Sequence, residues 1–218
     1  MTSIMYKKIC LAGAVFFISA CSQHRPGILS QTIVQSLSSQ DAFIDRAKVD
    51  QVPYASMALT VADGPQAFIV LAWDEDNTQK WLTADAKMIA TRSGRLIKTL
   101  GFSANLLSLE SNIQDPLEAP LTIQEGQQWH AQARWEDNGF HAANIISSFH
   151  WADSQDFTVL GVTHCYRVLE ETVTAETDGT TWQQRYWVDP QSGRIVHSKQ
   201  ILHPHGQKWS LTLLKPYS

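Results

Sequence analysis

"TWQQRYWVDPQSGRIVHSKQIL" runs from Thr181 to Leu202. Two stretches rich in β-branched and aromatic residues flank Asp189 to Gly193, a cluster of turn formers, and this arrangement predicts a β-hairpin. The pattern repeats outward in both directions. Toward the C-terminus, His203 to Gly206 forms a turn before "KWSLTLLK"; toward the N-terminus, Asp178-Gly179 sets off "HCYRVLEETVTAE". Further back come "FTVLG", a turn at Asp153 to Asp156, "FHAANIISSFHW", the turn Asp137-Asn138-Gly139 and "QWHAQARWE". An earlier set, "VPYASMALTV", "QAFIVLAW", "QKWLT", "KMIATR" and "RLIKTL", is divided by Asp63-Gly64-Pro65, Asp74 to Asn77 and Ser93-Gly94. Between the sets, "GFSANLLSLESNIQDPLEAP" carries Ser, Asn and two prolines and predicts a short helix or a long loop. The fold class that follows is mainly β: an antiparallel meander forming a sandwich or an open barrel. Ile33, Val34, Leu37, Phe43 and Ile44 recur at helical spacing, so a short N-terminal helical segment precedes the strands. Ser93-Gly94-Arg95 and Ser192-Gly193-Arg194 each precede an apolar pair. The preference of hairpin turns for Ser-Gly explains that echo without a duplicated unit.

The first residues have a different character. "KKICLAGAVFFISACSQ", Lys7 to Gln23, sets two cations before an apolar run, Ile9 to Ile18, which is too short to span a bilayer and suits a secretory signal. Ile18-Ser19-Ala20-Cys21 resembles a bacterial lipobox, the pattern processed by a diacylglyceryl transferase and signal peptidase II. Cleavage between Ala20 and Cys21 then leaves Cys21 as the acylated, palmitate-bearing first residue, anchored to a membrane rather than spanning it. Residues 1–20 are thus read as a lipoprotein signal peptide, 21–27 as a lipidated tether punctuated by Pro26 and Gly27, and 28–218 as one β-rich domain. In lipoproteins an Asp beside the cysteine retains the protein in the inner membrane, so Ser22 implies the outer membrane.

Composition removes several function classes. The chain of 218 residues has 17 Lys and Arg against 21 Asp and Glu, a formal net charge of −4, with no clustered basic run in the sequence, which argues against nucleic-acid binding. Of its three cysteines, Cys10 leaves with the signal and Cys21 takes lipid, so Cys165 has no partner for an internal disulfide and reads as a buried, inert thiol.

Catalytic and metal signatures are sparse. There is no G-x-S-x-G elbow, H-E-x-x-H, phosphate-cradling glycine loop or C-x-x-C. Asp74-Glu75-Asp76 lacks the alternating ligands of a calcium loop and reads as a solvated turn. His203-Pro204-His205 offers two imidazoles, short of a metal site. No cofactor or metal is therefore expected, and no enzyme activity, although two carboxylates facing each other across a cleft would make a glycan-cleaving enzyme. The eight tryptophans stand out. Core packing accounts for any one of them, but indole faces also stack on sugar rings. Trp81, Trp182, Tyr186 and Trp187 are the candidate glycan or partner contacts. Pro53 and the segment from Gly101 to Pro120, with Leu106, Leu107 and Leu109, are further candidates for partner contact.

Several spaced features together carry a family resemblance: Pro53-Tyr54-Ala55-Ser56, Gly64-Pro65-Gln66, Trp81, Gly94-Arg95, Lys98-Thr99, Gly101, Asp115-Pro116-Leu117, Trp129, Trp135 and Arg185-Tyr186-Trp187-Val188-Asp189. In these the chain resembles the YjbF/GfcB family of group 4 capsule polysaccharide lipoproteins. The resemblance implies a β-rich fold and a part in exopolysaccharide or capsule production and secretion; with no catalytic motif in the sequence, the expectation is a non-enzymatic accessory lipoprotein on the periplasmic face of the outer membrane. It also implies partners, an outer-membrane barrel protein and periplasmic companions from the same operon, and the expected mode of action is binding such a partner, the polysaccharide, or both. The alternative is a carrier of lipid or other hydrophobic cargo, which requires a continuous apolar lining on a concave face.

Overall fold

A computed structural model describes residues 44–217. The expected signal peptide, the expected acylation at Cys21, the expected tether and the part of the expected helical segment before Ile44 fall outside the described residues. A short helix, α1 (Arg46–Gln51), opens the described chain; the Asp45 side chain caps it by accepting from the Lys48 N–H, and Val49 is its buried residue.

Twelve antiparallel strands follow in a single sheet. They are β1 (Ser56–Val61), β2 (Ala67–Glu75), β3 (Thr78–Leu82), β4 (Met88–Arg92), β5 (Arg95–Leu100) and β6 (Asn105–Glu110). Then come β7 (Gln128–Glu136), β8 (Phe140–Val159), β9 (Val162–Ala175), β10 (Thr181–Val188), β11 (Ile195–Ile201) and β12 (Lys208–Lys215). The spatial order is β5-β4-β3-β2-β1-β12-β11-β10-β9-β8-β7-β6. Every neighbour is a sequence neighbour except at β1 and β12, where Leu59 lies opposite Leu211 and Val61 opposite Trp209. The sheet thus curls into a nearly closed barrel, with β5 and β6 meeting across the seam.

Side chains sew that seam in place of a full ladder. Thr99 Oγ1 accepts from the Leu106 N–H at 2.9 Å, and Asn105 Oδ1 accepts from the Phe102 N–H at 3.1 Å. At the other end of β5 the Gln200 carboxamide acts as a surrogate strand: it accepts from the Leu96 N–H at 3.0 Å and donates to the Gly94 carbonyl at 2.8 Å. Gly94 has φ +83°, and a Cβ there would lie 2.8 Å from the Cβ of Ile195, so only glycine permits this approach.

The alternating pattern along β7 shows how the sheet sorts its residues. Trp129, Ala131, Ala133 and Trp135 point inward and are buried, while Gln128, His130, Gln132, Arg134 and Glu136 face water. The core has two main parts. One joins Trp129, Phe149, Leu169, Val173 and Tyr186; the other joins Leu59, Ile69, Trp81, Ile89, Leu96, Leu106 and Trp209.

Three sequence expectations change. "NLLSLE" is the edge strand β6 rather than irregular chain: Leu106 is buried and Leu109 packs against both core clusters, which removes most of the apolar surface proposed for partner contact. Asp153 to Asp156 is no hairpin turn. β8 runs through it with a register shift between Ala152 and Gln155, and the polar residues sit on the exposed outside of that bend. Cys165 is exposed rather than buried, since it lies beyond the bend, opposite Asp156.

Beyond that bend, β8 and β9 form an arm laid over the outside of the barrel. Phe157 packs on Trp187 and stacks on His197 with ring centroids 4.3 Å apart. The tip reaches α1, where Leu160 joins the cluster of Val49, Val52, Phe68 and Val70 and its carbonyl accepts from Arg46.

Candidate functional site

Polar chemistry concentrates in two places, one inside the barrel and one on its outer face. The inner one centres on Arg95, which opens β5 and is 1% exposed. Its Nε donates to Asp115 Oδ2 at 2.5 Å and its Nη2 to Asp115 Oδ1 at 3.1 Å, a two-pronged clamp. Its Nη1 reaches both oxygens of Glu171 at 2.9 and 2.8 Å, and the guanidinium lies 4.6 Å from the centroid of the Trp129 ring. The Tyr186 hydroxyl donates to Glu171 Oε2 at 2.8 Å and lies 2.9 Å from Gln184 Oε1. Burial works against the charge on Arg95, but Asp115 and Glu171 outweigh it and hold the guanidinium protonated well beyond the ordinary arginine range. Burial, reinforced by the Glu171 carboxylate against the pull of Arg95, pushes the Tyr186 phenol well above its usual value, so it remains a neutral donor.

This cluster ties five parts of the chain together. Asp115 belongs to the segment between β6 and β7, where it caps a 3-10 turn (Pro116–Glu118) through the Leu117 N–H; a second such turn follows (Pro120–Thr122). Leu117, Pro120 and Ile123 are buried, so the segment closes the barrel like a stopper. Indole donors hold it at both ends: Trp129 Nε1 to the Ile113 carbonyl at 3.4 Å, and Trp151 Nε1 to the Ile123 carbonyl at 3.1 Å. Glu125 adds a clasp, bonding His150 Nδ1 at 2.6 Å and accepting from the Trp151 N–H; these hydrogen bonds hold its carboxyl below the usual range.

Asp115 and Glu171 converge on one side chain, which is the geometry an enzyme reading asks of two carboxylates. Here both are buried and both are committed to one guanidinium. The pair offsets the charge of Arg95.

On the outer face, under the arm, His197 is buried. Its Nδ1 lies 2.8 Å from Thr212 Oγ1, while its Nε2 has no partner. Burial, helped by the Lys199 charge, lowers its pKa to about 4. The unfolded imidazole titrates near 6.5, so between these values the unfolded chain binds more protons; this contribution to stability is complete above pH 6.5 and is lost as pH falls toward 4. The span corresponds to about 3 kcal/mol. In chemical denaturation, the stability advantage of the wild type over His197→Gln should shrink by about that amount between pH 7.5 and 4. An advantage that stays constant with pH would mean the ring titrates as if in water.

The structure also sorts the candidate contacts. Trp81 is 0% exposed, Tyr186 0% and Trp187 4%, and none of them presents a ring face to a ligand. Trp81 and Tyr186 point into the barrel, and Trp187 lies beneath Phe157 of the arm. Their apolar area serves packing, which overturns their reading as surface contacts. Trp182, also buried, borders an outer groove. Trp73 is half exposed, at the end of β2. The acidic run forms a solvated hairpin: Asp76 and Asn77 take positive φ, Glu75 pairs with Lys80 at 2.7 Å, and Asp74 accepts from Gln79. His203 stacks on Trp135 while His205 is exposed, so the two imidazoles diverge in role. Among the described residues no three His, Cys, Asp or Glu side chains are grouped to hold a metal ion.

Sequence reasoning missed Glu171. Its signal was phase: in "RVLEETVTA" it alternates with Leu169, Val173 and Ala175, all buried on the inner face. Arg95, Asp115, Trp129 and Tyr186, by contrast, are among the residues that carry the family resemblance, and they meet in this cluster.

A family described as "Group 4 capsule polysaccharide lipoprotein gfcB, YjbF" matches residues 17–214. The chain belongs to this family. Among its relatives in Escherichia coli (strain K12), the uncharacterized lipoprotein GfcB is 30% identical over 211 residues, covering 96% of this chain and 99% of GfcB. The uncharacterized lipoprotein YjbF is 37% identical over 169 residues, covering 77% of this chain and 78% of YjbF. The crystal structure of the hypothetical lipoprotein YmcC from Escherichia coli (K12) superimposes with a TM-score of 0.81 at 30% identity, covering 89% of this chain and 98% of that one. This family member therefore shares the strand-built fold of YmcC along nearly all of that protein's length.

Proposed function

We propose that this protein is a lipid-anchored accessory component of capsule or exopolysaccharide production and secretion, held to the periplasmic face of the outer membrane through Cys21. It acts by binding, not by catalysis: it engages an outer-membrane barrel protein, other periplasmic proteins of the same assembly, or the glycan. The observation that carries this reading is the family match from residue 17 to residue 214, which takes in Cys21 as well as the β domain. The filled interior supports it. A carrier of lipid needs a continuous apolar lining, whereas the centre of this barrel is occupied by Arg95, Asp115, Glu171 and packed aromatic rings.

The test is the anchor. Cys21→Ala should move the protein from the membrane to the soluble periplasmic fraction and abolish polysaccharide secretion, with the circular dichroism of the β domain unchanged. Crosslinking of the wild type in intact envelopes should capture an outer-membrane barrel protein. Membrane retention of the variant, full secretion by the released form, or recovery of free monomer alone under conditions that trap known neighbours would each count against the reading.

A further inference from the structure

An open groove of about 570 Å³ lies on β9 to β12 and the turn between β11 and β12, a volume within the range of ligand sites. Register brings its charges together. Arg185 lies directly opposite Glu170 on one side and Lys199 on the other, and Lys199 lies opposite Ser210. One step along, Lys208 lies opposite Ile201. Arg185 is paired with Glu170. Lys199 and Lys208 are exposed, and neither has an ion-pair partner among the described residues; Lys199 Nζ instead stands 5.5 Å from the centroid of Trp187. Three cations thus face a single carboxylate in one concavity, on a chain whose formal net charge is −4.

Two features make this more than a scatter of surface lysines. Arg185 and Lys199 stand directly across a strand pair, and the single carboxylate of the groove, Glu170, is committed to Arg185, so Lys199 is left without a counter-charge among the described residues. Between and beside the cations, the exposed side chains of Thr181 and Gln183 supply neutral donors and acceptors of the kind that engage hydroxyl groups.

We infer that this groove binds a carboxylate-bearing stretch of polysaccharide, with Lys199, Lys208 and Arg185 taking the anionic groups and Thr181 and Gln183 the ring hydroxyls. The inference rests on the proposed role in polysaccharide secretion and gives that role a ligand class. The alternative source of anions is a lipid headgroup. A membrane-binding surface adds apolar side chains that enter the bilayer, and the exposed large apolar residues Trp73, Leu100, Ile113, Phe140 and Val162 all lie outside the groove. A net positive concavity on an acidic protein also steers polyanions toward this face in preference to the rest of the surface.

The experiment titrates the full-length lipoprotein, in uncharged detergent micelles at low salt, with fluorescently labelled polygalacturonate. Binding should be saturable, should weaken steeply as salt rises, and should fall about tenfold in Lys199→Gln/Lys208→Gln, whose unfolding midpoint should match the wild type because both side chains are exposed. Lys80→Gln, which removes a cation paired with Glu75, should bind as the wild type does, and neutral dextran should not bind. Absence of polygalacturonate binding, equal affinity in the double variant, or capture by phosphatidylglycerol vesicles that exceeds capture by neutral-lipid vesicles and is lost in Lys199→Gln/Lys208→Gln would each overturn the assignment. These outcomes leave the Cys21→Ala result untouched, and failure of that anchor test leaves the titration untouched, so the two proposals fall separately.

Discussion

Arg95→Met should cost 3–5 kcal/mol or more, about the penalty for leaving a buried charge without its partner. Removing the guanidinium strands Glu171, 0% exposed, and Asp115, 8% exposed, and also withdraws the cation stacked on Trp129. A domain of this size has only about 5–15 kcal/mol in total, so the variant loses a large share of its stability and should unfold at a markedly lower urea concentration. Arg95→Lys should fall between the two, because an ammonium keeps the charge but cannot hold Asp115 through two nitrogens while reaching both oxygens of Glu171. The diagnostic measurement is a double substitution. If the loss arises from stranded charge, Arg95→Met with Glu171→Gln should be more stable than Arg95→Met alone in urea unfolding. A single Arg95→Met variant within about 1 kcal/mol of the wild type would show that water reaches the cluster and that the interior is less dry than its geometry implies.

Trp81→Ala carries the second large effect, about 3–5 kcal/mol. The indole is wholly buried between β3 and β4, opposite Ile89, with its Nε1 donating to Thr91 Oγ1 at 2.9 Å and its ring edge-on to Tyr217 at 5.9 Å. Truncation opens a cavity, strips the Thr91 hydroxyl of its donor and removes the surface against which the C-terminal tyrosine packs. Trp81→Phe should cost less, about 1–2 kcal/mol, since most of the volume remains and the hydrogen bond goes. Trp73 supplies the contrast. It sits eight residues earlier with half its surface in water, and Trp73→Ala should change stability by no more than about 0.5 kcal/mol. Thermal or chemical unfolding of the three variants checks the ranking, and similar losses at Trp73 and Trp81 would contradict the burial assigned to them.

The tryptophans also show what sequence alone reveals. The hairpins are legible because their turns carry a local signature: Asp76-Asn77 and Asn138-Gly139 take the positive φ that tight turns demand. Binary alternation makes β7 legible residue by residue. The choice between core and surface for Trp81, Trp182 and Trp187 is not local, because it depends on which face of the sheet curls inward and on an arm that covers part of the outside. Likewise the polar run from Asp153 to Asp156 has turn chemistry whether a strand ends there or bends there. β6 was hidden by its Ser and Asn, which serve the seam through Asn105 rather than breaking the sheet. The salt-bridge cluster is half legible. Its members recur in the motifs that mark the family, but alternation assigns charged residues to water, and only the phase of Glu171 within β9 betrays its inward direction.

The pairing of β1 with β12 has a consequence for biogenesis. The ribosome makes the first strand of this sheet long before the one that must lie beside it, so until the last residues arrive β1 has a raw hydrogen-bonding edge and the circle stays open. Contacts this distant in sequence slow folding and lengthen the interval in which such an edge can join the wrong neighbour. A nonsense mutation that removes only β12 would deny closure to the eleven strands already made.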